Sequence, residues 1–177
     1  MLKKILILLS LIIALPLIIA LFVKQDYAVT TSVIIDKPVT EVFDYIKYLK
    51  NQDNFSVWAK MDPQMIKSYR GTDASVGFVS AWESLHEEVG IGEQEIMSIG
   101  DGKRIGYELR FFSPFEAVSP AFMSCEAISQ NTTRVTWGFK GHMDYPMNLM
   151  LMFMDIEAMI TKDLSQGLAS LKEIMEN

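Results

Sequence analysis

The stretch IEAMITKDLSQGLASLKEI, residues 156–174, indicates how the whole chain folds. Its apolar residues recur every three or four positions, as on one face of an α-helix, and Lys162, Gln166 and Lys172 occupy the opposite face. The apolar stripe comprises Ile156, Met159, Ile160, Leu164, Leu168, Leu171, Ile174 and Met175. Because such a stripe must be buried against another layer, we predict one long C-terminal helix, beginning after Pro146, that packs on a second layer.

That second layer is predicted by residues 65–142. Six segments rich in β-branched and aromatic residues follow one another there, separated by glycine, asparagine, aspartate, serine and proline. The clearest are residues 104–112 and 133–141, in which apolar and polar residues alternate as they do in a strand with one buried face. The order of the segments predicts an antiparallel meander.

The residues before the meander predict one further strand and two short helices. Residues 27–35 alternate and are rich in valine, isoleucine and threonine, which is typical of a strand. Pro38 then suits the first position of a short helix, and a second helical turn carries Phe55 and Trp58. Strand, short helices, six strands and a long helix together predict an α+β domain, with the helix across a curved antiparallel sheet.

Residues 5–23 form a run of nineteen residues without a charge, which predicts an N-terminal transmembrane helix. The alternative is a cleaved signal peptide, but Phe22 puts a bulky ring where a signal peptidase requires a small residue. We therefore expect an uncleaved anchor over residues 1–24 and one domain over residues 25–177. Lys3 and Lys4 precede the span, so the positive-inside rule favours a cytoplasmic N-terminus and an extracytoplasmic domain.

Charge and cysteine content exclude several classes of function. The formal net charge is −6 and the basic residues do not cluster, so nucleic acid is not an expected partner. Cys125 is the only cysteine, which excludes an internal disulfide. His86-Glu87-Glu88 lacks the second histidine of a zinc-protease motif, and we expect no metal and no cofactor.

Several segments resemble the SRPBCC (START/Bet v 1-like) superfamily, and within it membrane-anchored bacterial proteins related to polyketide cyclases and dehydrases. These segments are VIIDKPVTEVFDYI, WAKMDPQMIKSYRG, GFVSAWES, EEVGIGEQEI, KRIGYELRF and YPMNLMLMFMDIEAMITKDLSQGLASLKEI. The resemblance covers nearly all of the chain after the anchor. It implies a helix-grip fold, in which the sheet curls around the C-terminal helix and leaves an apolar cavity for a lipid, sterol, polyketide or similar molecule. Activities within the superfamily vary, and the fold alone does not identify one.

Aromatic and methionine residues are the candidate ligand contacts. We predict that the ligand-binding residues are Trp58, Trp82, Tyr107, Phe111, Trp137, Met150 and Met154. Each aromatic residue, taken singly, is more typical of an ordinary core. The methionines around residues 143–159 suit a ligand surface, a core, or a contact with the membrane or a partner.

No catalytic residue is predicted. Glu83, Glu87, Glu88, Glu93 and Glu95 form an acidic group that is typical of solvated strand faces, and His142 is typical of a surface histidine. The leading hypothesis is a membrane-tethered domain that binds a hydrophobic small molecule or lipid, with transport of that molecule as an extension of the same hypothesis. One alternative is a polyketide cyclase or dehydratase that uses Glu or His as acid and base. Another is a protein-interaction module whose cavity is filled by its own side chains.

Overall fold

The computed structural model describes the backbone of residues 2–177 and the side chains of residues 3–6 and 11–177. The first helix, α1, runs from Leu2 to Ala20, and the side chains of residues 7–10 in the predicted span lie outside the described residues. The segment Lys3–Ala20 has a mean hydropathy of 2.4 and is 7% buried. Length and composition of this kind suit both a membrane span and a signal sequence.

Seven antiparallel strands form one sheet, which confirms the predicted meander. Their order is β1-β7-β6-β5-β4-β3-β2, so the first strand lies beside the last. The strands are β1 Asp26–Ile35, β2 Ile66–Arg70, β3 Val79–Glu83, β4 Ile91–Gly100, β5 Arg104–Ser113, β6 Ala117–Ser129 and β7 Thr132–His142. Between β1 and β2 lie α2 (Val39–Ile46), a 3₁₀ helix (Leu49–Asn54) and α3 (Val57–Met61).

The last helix, α5 (Ile156–Glu176), runs alongside β1 and covers the sheet. The hydroxyl of Ser165 on α5 lies 2.8 Å from the hydroxyl of Thr31 on β1. Glu176, at the end of α5, accepts a hydrogen bond of 2.7 Å from the backbone N–H of Asp36. The buried side chains of the helix join the single core that fills the space over β1, β5, β6 and β7. They are Leu164, Leu168, Leu171 and Met175.

The C-terminal helix is shorter than the prediction, which placed its start just after Pro146. A 3₁₀ turn (Met147–Leu149) and the short α4 (Met150–Phe153) come first, and the backbone of Met154 is extended. Asp155 then caps α5, because its carboxylate accepts a hydrogen bond of 3.0 Å from the N–H of Ala158. Apolar periodicity continues through this break, so the pattern alone predicts one helix where the structure has two.

The two ends of the sheet differ in their connections. At the end where α1 leads into β1, which we call the α1 end, lie the β3–β4 loop (residues 84–90), the β5–β6 loop (114–116) and the residues that follow His142. The opposite end carries the connections after Ile35, β2, β4 and β6. The distinction matters because the cavity described below lies towards the α1 end.

Leu168 tests the contact between α5 and the sheet. Its side chain is fully buried, so Leu168→Ala should lower the free energy of unfolding by about 2–5 kcal/mol through lost burial and the cavity left behind. Met159→Ala on the same helix is the matched control, and should change it by about 0.5 kcal/mol or less because Met159 is exposed. Urea unfolding of both variants measures the difference, and equal effects would contradict the packing described here.

Candidate functional site

A cavity of about 320 Å³ lies between the sheet, α3 and α5. Six aromatic side chains line its walls, namely those of Tyr27, Trp58, Trp82, Phe111, Trp137 and Phe139. The rings of Trp82 and Phe111 meet edge to face, with centroids 6.1 Å apart. The chain has three tryptophans, and all three line this space.

Two glycines make room for the tryptophan rings. A Cβ atom at Gly92 would lie 2.6 Å from Cζ2 of Trp82, and one at Gly167 would lie 2.9 Å from Cζ3 of Trp137. Any larger residue at either position would push a ring out of place. The orientation of two cavity walls therefore depends on residues that have no side chain of their own.

A row of inward-facing residues crosses the cavity floor from β3 to β6. Ser80 pairs with Gln94, Gln94 pairs with Leu109, and Leu109 pairs with Ser119 in the strand register. All four line the cavity. The row therefore places three polar side chains on an otherwise apolar floor, where they can orient a ligand through hydrogen bonds.

Three buried polar residues line the cavity, namely Gln52, Ser56 and Ser119. The hydroxyl of Ser119 makes no hydrogen bond within the described part of the chain. The amide nitrogen of Gln52 has only a weak contact of 3.8 Å with the sulfur of Met123. A ligand that carries a hydroxyl or carbonyl group would supply the hydrogen bonds that these side chains lack.

The charged residues of the cavity are paired with neighbours or exposed. Asp53 and Lys67 form an ion pair of 2.6 Å, and the hydroxyl of Tyr69 donates a hydrogen bond of 3.0 Å to Asp53. Partial burial and the carboxylate of Asp53 raise the pKa of Tyr69 to about 12, so this hydroxyl keeps its proton. Glu88 also lines the cavity, but it belongs to the exposed β3–β4 loop.

His142 lies at the α1 end of the cavity between two carboxylates. Its Nδ1 is 2.7 Å from Oδ1 of Asp26, and its Nε2 is 3.3 Å from Oδ1 of Asp144. The hydrogen bond to Asp26 and the two negative charges raise the pKa of His142. The two carboxylates therefore favour the protonated form of the imidazole, which cannot accept a further proton as a base.

The acidic group of the sequence divides between two places. Glu93 and Glu95 lie on the outer face of the sheet, where both pair with Arg110, and Glu93 also pairs with Arg70. These pairs lower the pKa of Glu93. Of the five acidic residues, only Glu88 lines the cavity.

The described residues form no group suited to metal binding or to thiol catalysis. No three His, Cys, Asp or Glu side chains come together there in a way that could hold a metal ion. Cys125 is buried, and desolvation raises the pKa of its thiol to about 12, which makes it unreactive.

No protein-family model and no curated protein matches this sequence. Solved structures do match its fold. Norcoclaurine synthase from Thalictrum flavum, in complex with dopamine and hydroxybenzaldehyde, aligns with a TM-score of 0.65 and 8% identity over 89% of this chain and 90% of the synthase. The Aha1 dimer from Colwellia psychrerythraea aligns with a TM-score of 0.58 and 13% identity over 85% of this chain and 96% of that one.

One part of a larger protein also matches. The di-domain ARO/CYC protein BexL, from the BE-7585A biosynthetic pathway, aligns with a TM-score of 0.61 and 13% identity over 86% of this chain and 51% of BexL. The fold is the helix grip. These alignments confirm the Bet v 1-like architecture that the resemblance implied, and at such identities they show the fold alone.

The structure brings together four of the seven predicted ligand contacts. Trp58, Trp82, Phe111 and Trp137 line the same cavity. Tyr107 instead lies in the core, where its hydroxyl has no partner among the described residues, and Met150 and Met154 lie outside the cavity in the segment before α5. A ligand contact at these three residues stays a prediction.

Sequence reasoning missed the polar residues of the site. On β6, Ala117, Ser119 and Ala121 alternate with outward-facing residues and all line the cavity. Small residues at inward positions of a strand leave space, which is the signal that could have located them. Gln52 had no such signal, because it lies in the short 3₁₀ helix Leu49–Asn54, whose orientation is set by packing.

Tyr107 tests whether an unpartnered buried hydroxyl serves the fold or a ligand. Because such a hydroxyl costs about 1–3 kcal/mol, Tyr107→Phe should leave the free energy of unfolding unchanged or raise it by about 1 kcal/mol. Tyr69→Phe, which removes the hydrogen bond to Asp53, should lower it. Chemical denaturation compares the two, and a clear loss of stability in Tyr107→Phe would show that the hydroxyl has a partner.

His142 should make stability depend on pH. Its pKa is raised in the folded state, so its stabilising contribution is present below about pH 6.5, the value of a free histidine, and is lost as the pH rises through the raised value. We expect a small fall in Tm over that range, absent in His142→Gln and retained in His86→Gln. Thermal melts at several pH values measure it, and an unchanged slope in His142→Gln would contradict the assignment.

Proposed function

We propose that this protein binds a hydrophobic small molecule or lipid in the cavity between its sheet and α5, while α1 tethers the domain to a membrane. The observation that carries the proposal is the cavity itself, which is lined by six aromatic side chains and has a floor that includes Leu109 and Ala121. Its volume lies at the lower end of the range for small-molecule sites. It suits a ring system or a single acyl chain.

The polar residues define the chemistry of the proposed ligand. Ser119 and Gln52 are buried with unused hydrogen-bonding groups, and Ser80 and Gln94 lie on the same floor. A molecule with an apolar body and a hydroxyl or carbonyl group satisfies both kinds of surface. The complex of norcoclaurine synthase with dopamine and hydroxybenzaldehyde supports this, since both are small aromatic molecules held by the same fold.

The membrane tether is the second part of the proposal. Only 7% of the helix Lys3–Ala20 is buried, as expected of a helix in lipid. Lys3 and Lys4 at its start favour a cytoplasmic N-terminus and an extracytoplasmic domain. The domain then lies beside a membrane that can supply its ligand.

Binding is better supported than catalysis. Asp26 and Asp144 favour the protonated form of His142, the histidine at the cavity, and Asp53 forms an ion pair with Lys67. An acid–base reaction needs a base inside the cavity. Of the ionisable groups that line it, only Glu88 is left for this role, and it is exposed.

Filling the cavity tests the proposal. Ala121→Phe adds a ring between Tyr107 and Phe139 on the floor, whereas Val118→Phe adds one on the outer face of the same strand. We expect native mass spectrometry of the full chain to show one bound molecule in the parent and in Val118→Phe, and a loss of it in Ala121→Phe.

Circular dichroism checks that both variants fold. A folded Ala121→Phe protein that still retains the molecule, or a parent that carries none, would contradict ligand binding in this cavity. The tryptophans give a second measurement, since all three line the cavity and a ligand should change their fluorescence.

A further inference from the structure

Exposed apolar residues are concentrated at the α1 end of the domain. Leu85 in the β3–β4 loop is fully exposed, Phe115 in the β5–β6 loop is 62% exposed, and Phe153 after β7 is 83% exposed. Three separate connections thus place a large apolar side chain in solvent at one end of the sheet. Such side chains, grouped at one end of a molecule, indicate a contact surface.

The opposite end of the sheet is polar. Its four turns consist of residues 36–38, 71–78, 101–103 and 130–131, and they are rich in Asp, Gly, Ser, Thr and Asn. Val76 is the only large exposed apolar residue in these four turns. The contrast between the two ends is what a domain needs if one end rests on an apolar phase and the other faces water.

Asn148 attaches this end of the domain to α1. Its side chain is fully buried, and its amide nitrogen donates hydrogen bonds of 2.8 Å to the carbonyl of Ala20 and 3.0 Å to that of Val23. The carbonyl of Ala20 also accepts a hydrogen bond of 3.3 Å from the N–H of Val23, so Asn148 joins the turn that ends α1 to the segment after β7. Lys24 adds an ion pair of 2.7 Å to Glu157.

This attachment relates the exposed residues to the bilayer. Asn148 lies in the methionine-rich segment, Met147–Met154, so the segment is held beside the last turn of α1. In this segment Met147, Met152, Phe153 and Met154 are exposed. If α1 crosses a membrane, these side chains lie at the level where the helix leaves it. Amphipathic segments with Phe and Leu on one side enter this interfacial layer.

We propose that the α1 end is a second membrane contact, in which Leu85, Phe115 and Phe153 enter the lipid interface of the bilayer that α1 crosses. The partner is a phospholipid surface. The inference rests on the proposed tether and deepens the proposed function, because it gives the ligand a source.

The cavity lies at the same end as this contact. The lining residues Tyr27, Phe111, Ala117 and His142 are near the strand ends that face α1. Ile160 lines the cavity, and Ile156, one helical turn earlier, lines a groove of about 270 Å³ bounded also by Lys24 and the end of the methionine-rich segment. The groove beside the end of α1 and the cavity therefore lie within one turn of each other on α5, so a lipid that leaves the bilayer beside α1 is close to the cavity.

The charges in these loops favour an apolar contact over an electrostatic one. Glu87 and Glu88 lie in the β3–β4 loop and Glu116 lies beside Phe115, so anionic headgroups would be repelled. We therefore expect contact with a zwitterionic phosphatidylcholine surface that is insensitive to salt. Anionic lipid should weaken it at low ionic strength.

The experiment places a polarity-sensitive NBD label at single cysteines in the full chain, reconstituted in phosphatidylcholine nanodiscs. Leu85→Cys, Phe115→Cys and Phe153→Cys should each show a blue shift, and a loss of emission when the lipid carries a doxyl quencher. Val76→Cys at the opposite end is the matched control and should show neither. The parent chain checks that buried Cys125 does not react.

A second variant removes the influence of the label itself. In the Leu85→Cys protein, Phe153→Glu should reduce quenching because a charge resists entering lipid, and Val76→Glu should leave it unchanged. Labels at positions 85, 115 and 153 that behave like the label at 76 would overturn the proposal. Quenching that is lost when a co-purified protein is removed would also overturn the proposal.

The two proposals fail separately. Native mass spectrometry tests the ligand with the cavity variants, and NBD quenching tests the contact with variants outside the cavity. Bound ligand without quenching would reject the second membrane contact and leave the binding function in place. Asn148→Ala removes the hydrogen bonds that hold the methionine-rich segment beside the end of α1. It should therefore reduce quenching at position 153 more than at position 115.

Discussion

The packing of the apolar stripe of α5 against the inner face of the sheet is the contact on which the rest of the structure depends. Leu168, Leu171 and Met175 are buried in the core at the half of this interface that is remote from α1, whereas Leu164 also lines the cavity. Towards α1 the stripe gives way to Ile160 and to the gap beneath it. A solid core at one end thereby supports a cavity at the other.

This division explains how the domain combines stability with an open interior. The core and hydrogen bonds such as that from the N–H of Asp36 to Glu176 hold α5 in place at its C-terminal end. At its N-terminal end, Asp155 caps the helix and Glu157 pairs with Lys24. Both ends of the helix that covers the cavity are therefore fixed to the rest of the domain. The walls of the cavity stay apart without a bound ligand.

Much of the fold could be predicted, and the site only in part. The alternation in residues 104–112 and 133–141 specified strands with one buried face, since a strand exposes successive side chains on opposite sides. Trp82, Phe111 and Trp137 were predicted as contacts because they are large and lie on such faces. Tyr107 met the same criterion, yet it lies in the core. Alternation identifies the face and not the distance along the strand at which the core ends.

The sequence by itself determined the apolar N-terminal helix, the meander and the amphipathic character of the last helix, because these depend on local periodicity and length. Tertiary structure alone decided that α5 starts at Ile156, that Ser119 and Gln52 are buried in a cavity, and that Asn148 reaches the carbonyls of Ala20 and Val23. These features join residues that are distant in the chain. Their partners are chosen by packing, for which a single sequence carries no local signal.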